Sequence, residues 1–155
     1  MPLEESYSLT TKEGHEYRIG FSPFDIFATP KSLTKPIVDV VIAIDDNKGI
    51  NNASTLFEFS KIIKEYLFKN DVILYCYCDN KEIERGKKHQ HLSPQEYRSL
   101  LFEKMFDKAS NKDFINKPIL LIDATDNKHC IHFFSSTQNL DQIELLSEEL
   151  YKAKG

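Results

Sequence analysis

Cys76, Cys78, His89 and His91 are the residues whose types come nearest to a metal-binding set, in the stretch DVILYCYCDNKEIERGKKHQH from Asp71 to His91. A structural zinc ion takes four such ligands converging tetrahedrally, with two to four residues intervening between the cysteines of a pair on a turn. Cys76 and Cys78 instead lie two apart on an apolar run, so in a strand they leave the same face as Val72 and Leu74. That spacing predicts small apolar packing rather than a metal centre. His129 and His132 sit in a second apparent strand and face opposite sides, which makes a poorer pair still. The basic run RGKKHQH offers charge without the interleaved aromatics that stack on bases, and Glu82 and Glu84 dilute it. It reads as a solvated loop, with an anion or acidic partner as the functional alternative.

The junction AIDDNKGINNASTLFEF carries a second kind of chemistry. A strand there passes through a glycine-bearing loop into a helix, and the unsatisfied N–H groups of a helix start bind anions. Gly49, Asn51, Asn52 and Ser54 form the candidate anion site, opposed by the like charge of Asp45 and Asp46. Those two acids are adjacent and point apart, so they suit a turn better than an acid–base pair. No G-x-S-x-G elbow occurs, and Cys78 and Cys130 have no arrangement that would orient a base.

The elements that must carry these residues follow from periodicity. Residues 7–11 and 15–21 flank Lys12-Glu13-Gly14 as a hairpin, with Tyr17, Ile19 and Phe21 on one face. SPFDIFATPKSLTKP, with three prolines, reads as an irregular but packed connection. PIVDVVIAI is a strand. Leu56, Phe59, Ile63 and Leu67 predict an amphipathic helix from about Asn52 to Phe68. Asp71 to Cys78 is the next strand. SPQEYRSLLFEKMFDKA opens with Ser93 as N-cap, Pro94 in the first turn and Glu96 closing a capping box. PILLIDA and HCIHFFSS form a closing hairpin, and NLDQIELLSEELYKAKG a last helix with Ile143, Leu146 and Leu150 inward.

The order β-β-β-α-β-α-β-β-α predicts the α+β (mixed α/β) class, with a single mixed sheet of about six strands in one domain over 1–155. Adjacent strands suit antiparallel pairing, and the two strand-helix-strand steps suit parallel neighbours. The 155 residues, 41% hydrophobic and 28% charged, suffice for a packed core. A net charge of -4 argues against nucleic acid as a partner. The start MPLEESYSLT has no basic segment or apolar stretch, no run is long enough to span a bilayer, and three cysteines cannot all pair. A reduced, cytoplasmic protein without a membrane partner is the expectation.

Two resemblances add to this reading. The strand and helix order resembles the central and C-terminal part of the GCN5-related N-acetyltransferase fold, over roughly two-thirds of the chain. There the pyrophosphate of acyl-CoA rests on the helix start after the third of these strands, in a loop patterned Gln/Arg-x-x-Gly-x-Gly/Ala. The matching stretch is Asp46-Asn47-Lys48-Gly49-Ile50-Asn51, which keeps the central glycine. In FEKMF, similar to the family's Tyr-Glu-Lys-x-Gly-Phe, Phe102 stands where the often catalytic tyrosine would be, and a phenyl ring has no proton for a leaving thiolate. VILYCYCDN followed by YRSLLFEKMF also resembles an uncharacterised domain-of-unknown-function family found mainly in Bacteroidetes. Cys78-Asp79, Arg98, Phe102 and Phe106 carry that match, while Met105 replaces a frequent Trp. Arg98 is placed to reach Asp79 or a bound anion.

The combined expectation is a small bacterial binding or regulatory module of acetyltransferase-like fold, with an unknown protein or small molecule as partner. The alternatives are an acyl-CoA-dependent N-acyltransferase, with acyl-CoA as cofactor, and a homo-oligomeric interaction domain built through a sheet edge.

Overall fold

Strict alternation in the sequence becomes a half-buried hairpin. In β1 (Glu5–Thr10) and β2 (Glu16–Pro23), Tyr17, Ile19 and Phe21 turn inward while Glu16 and Arg18 face out. The computed structural model describes residues 4–10, 16–23, 34–44, 53–78, 90–109 and 113–154. β3 (Ile37–Ile44) lies antiparallel to β2, and Pro23 closes β2 opposite Val38 rather than belonging to the connection that follows it in sequence. Proline at a strand's last residue costs little of the ladder.

Helix α1 (Ala53–Lys69) follows, and then β4 (Ile73–Cys78), α2 (Pro94–Ala109), β5 (Phe114–Ile122), β6 (Lys128–Ser136), one 3-10 turn (Thr137–Asn139) and α3 (Leu140–Lys154). The start of α2 is fixed as its sequence requires. Glu96 N–H donates to Ser93 Oγ at 3.3 Å, and Ser93 N–H and Oγ–H donate to Glu96 Oε1 at 3.1 and 2.8 Å. These bonds, the Ser93 side chain's first, hold the Glu96 carboxyl below its ordinary value.

The six strands form one mixed sheet in the order β1-β2-β3-β4-β6-β5. β3 and β4 are parallel neighbours, as expected for a strand-helix-strand step. The second such step differs: β4 and β5 run the same way, but β6 is inserted between them, antiparallel to both. The reason is burial. β4 is covered on both faces, with only Tyr77 exposed, and β6 is nearly as buried, whereas β5 exposes Leu120 and Ile122 as an edge strand does.

Helices α1 and α2 cover one face, over a core that includes Phe21, Val38, Phe59, Tyr66, Leu74, Met105, Phe106 and Phe134. Phe21 stacks on Tyr66 at 4.0 Å between ring centroids, and Phe106 stacks on Phe134 at 4.3 Å. On the other face α3 packs Ile143, Leu146 and Leu150 against Ile73, Ile119, Ile131 and Phe133. Asn139 ties the start of α3 to that of β4: its amide donates to Asp71 Oδ1 at 2.9 Å and Ser135 Oγ at 3.0 Å, while Ser135 donates to the Val72 carbonyl. Asp71 also pairs with Lys35. No helix among the described residues is long and apolar enough to cross a membrane.

Candidate functional site

The sheet is interrupted between its third and fourth strands. Among the described residues, β3 and β4 pair over three positions only, Ile37 with Ile73, Val38 with Leu74 and Asp39 with Tyr75. Both strands then continue, β3 to Ile44 and β4 to Cys78, without pairing to one another, although β3 stays paired to β2 and β4 to β6. An open α/β sheet takes its ligands at the carboxyl ends of its strands, where such a crevice forms. Backbone donors and acceptors along two strand edges invite an extended ligand with amides of its own.

The connection from β3 to α1 leaves from that carboxyl end. Its Gly49, Asn51 and Asn52 lie outside the described residues, as do the loop acids Asp45 and Asp46; Ser54 falls in the first turn of α1. Asp79 and His89 also lie outside the described residues, so the expected Asp79–Arg98 contact does too. Arg98 is on α2, partly exposed, one turn before Phe102. Phe102 stacks on Phe106 at 5.8 Å and lies 5.9 Å from the His132 ring, so it serves the core under α2.

Cys76 and Cys78 are buried and share a face, as their spacing predicts. Cys78 lies directly opposite Cys130 on β6, and all three cysteines are free thiols. Burial pushes the Cys76 thiol well above its ordinary value and raises that of Cys130. Protonated, buried thiols suit packing, not nucleophilic attack. No cluster of three metal-ligating side chains occurs among the described residues.

Three functional groups escaped the sequence. Asp39 sits on β3 where pairing with β4 stops, beside Tyr75, on the face turned away from Val38 and Val40. Burial raises its carboxyl above the ordinary value and makes it a candidate proton acceptor at the point where the two strands stop pairing. The signal was an acid inside an otherwise apolar strand, Val38-Asp39-Val40. Because the fold disfavours the ionised form, removing the charge should help stability: Asp39→Asn is expected to raise the melting temperature at pH 7, measured by differential scanning calorimetry.

The second group is a core triad. His132 is fully buried, its Nε2 2.8 Å from Ser99 Oγ and its Nδ1 3.0 Å from Asn116 Oδ1. The amide oxygen accepts only, so Nδ1 carries the proton and Ser99 donates to Nε2. Desolvation pushes the imidazole down to about 4. A neutral histidine with both nitrogens satisfied between Phe102 and Phe106 holds α2 to the sheet.

The third group is a hydrogen-bonded chain on the opposite face. Tyr77 Oη lies 2.8 Å from His129 Nδ1, and His129 Nε2 lies 2.9 Å from Asp123 Oδ2. Tyr77 belongs to the part of β4 that has left β3. Thus His129 and His132 do face opposite sides, and each is hydrogen-bonded to side chains of its own neighbourhood.

No protein-family model, curated protein or solved structure matches the chain.

Proposed function

We propose that this protein is a binding module for an acyl-CoA, taking the pantetheine arm between β3 and β4 and the pyrophosphate at the Gly49 loop. The observation that carries the reading is the parallel pair that stops pairing after Asp39 and Tyr75 while both strands run on. Pantetheine is an extended chain with two amides, able to bond to strand edges as a peptide would. The strand order, three strands, helix, strand, helix, strand pair, supports an acetyltransferase-like architecture. N-acyl transfer is the activity such a module would have, with Asp39 as the group able to accept a proton from an amine. Phe102 contributes no acid to it.

Acetyl-CoA at about a hundred times its dissociation constant is expected to stabilise the protein by about 2.7 kcal/mol, a rise of several degrees in melting temperature. ATP, which lacks the pantetheine arm, should do much less. Gly49→Asp should abolish the shift by adding a side chain and a negative charge where the pyrophosphate would rest. Equal shifts with ATP and acetyl-CoA would remove the pantetheine from the reading. No shift with either would end it.

A further inference from the structure

The chain Tyr77–His129–Asp123 has the parts and order of an activated hydroxyl. Asp123 follows β5 and is held in the hairpin turn: its Oδ1 accepts from Thr125 N–H at 2.9 Å, Thr125 Oγ–H at 2.7 Å and Asn127 N–H at 3.0 Å. Asp126, in the left-handed region at φ 64°, completes that turn. The other carboxylate oxygen is left for His129. A carboxylate only accepts, so Nε2 carries the proton and the Nδ1 lone pair receives the Tyr77 hydroxyl. The His129 bond, ahead of the turn donors, holds the Asp123 carboxyl well below the usual carboxylate range. Hydroxyl, base and a carboxylate that fixes the base's tautomer are the three roles of a nucleophilic triad. Tyr77 is 42% exposed, so a small electrophile can reach it.

We propose that Tyr77 is an acyl-accepting hydroxyl, with His129 as its base and Asp123 as the group that positions the base, acting on carboxylic esters or thioesters. Tyr77 Oη attacks the carbonyl carbon while its proton passes to His129 Nδ1. The bond to the leaving oxygen or sulfur breaks, and the leaving atom keeps the electron pair and takes the proton from the imidazolium. Water then attacks the tyrosyl ester, gives a proton to Nδ1 and releases the carboxylic acid as the phenolate recovers its own proton from His129. The net change is ester plus water to acid plus alcohol or thiol. This inference rests on its own hydrogen bonds and goes beyond acyl-CoA binding, so the two can fail separately.

The probe is 4-nitrophenyl acetate, which needs no pantetheine site, and the internal control is Tyr151 on α3, equally open at 45% exposure. Peptide mass mapping after a short pulse should find Tyr77 acetylated at least about tenfold faster than Tyr151, since a positioned base is worth roughly a hundredfold or more. His129→Gln, with its melting temperature verified, should bring Tyr77 down to the rate of Tyr151. If that variant does not fold, Asp123→Asn, which frees the imidazole to take the other tautomer, should show the same loss. Tyr77 acetylated no faster than Tyr151, or an excess that survives the loss of His129 or Asp123, overturns the proposal.

Discussion

Between pH 7 and pH 4 the wild-type protein should lose about 3 kcal/mol more stability than a His132→Gln variant. The imidazole titrates near 4 when folded, against 6.5 in an unfolded chain. Across that window the unfolded state holds the extra proton, so stability is complete above the unfolded value and falls as pH drops toward the folded one. Glutamine at 132 does not titrate, and its amide can donate to Asn116 and accept from Ser99 as the imidazole does. Asp71 and Glu96, whose carboxyls are lowered by their hydrogen bonds, also lose stability with falling pH, but at lower values and in both proteins, so they cancel in the difference. Urea unfolding of the two proteins at several pH values measures it. Parallel curves would mean that His132 is not buried as a neutral group.

Phe106→Ala carries the other large effect, a loss of about 3–5 kcal/mol. The ring is fully buried and stacks on Phe134 from α2 to β6, with Phe102 also stacked against it and the His132 ring tilted beside it. Its removal leaves a cavity in the face that α2 shares with the sheet. Denaturant unfolding at neutral pH gives the size of the loss. The same cavity admits solvent to His132 and should shrink the acid sensitivity, so Phe106→Ala and His132→Gln are expected to be non-additive. Additive effects would mean that the ring does not shield the imidazole.

Much of this architecture is written in local pattern. Alternation in β2, the capping box at Ser93 and Glu96, and the inward stripe of Ile143, Leu146 and Leu150 each follow from spacing that one element imposes on itself. Strand order is a different kind of information. That β6 enters between β4 and β5 depends on which strands are buried on both faces, and the continuous apolar run ILYCYC hints at a central position for β4 without naming its neighbours. The functional groups are harder still. Ser99 and His132 are 33 positions apart, and Tyr77 and His129 are 52 apart, so no spacing rule can join them. The two histidines that looked like a failed metal pair are the centres of two separate hydrogen-bonded groups, one on each face. The early end of β3–β4 pairing was equally hidden, because a parallel pair that stops early has the same local sequence as one that continues.

Amide hydrogen exchange with and without acetyl-CoA tests the central claim most directly. Ligand amides seated between the strands should slow exchange in peptides covering 40–44 and 76–78 and leave the β1–β2 hairpin and α3 unchanged. Protection confined to other segments, or binding with no protection of either strand, would contradict the account.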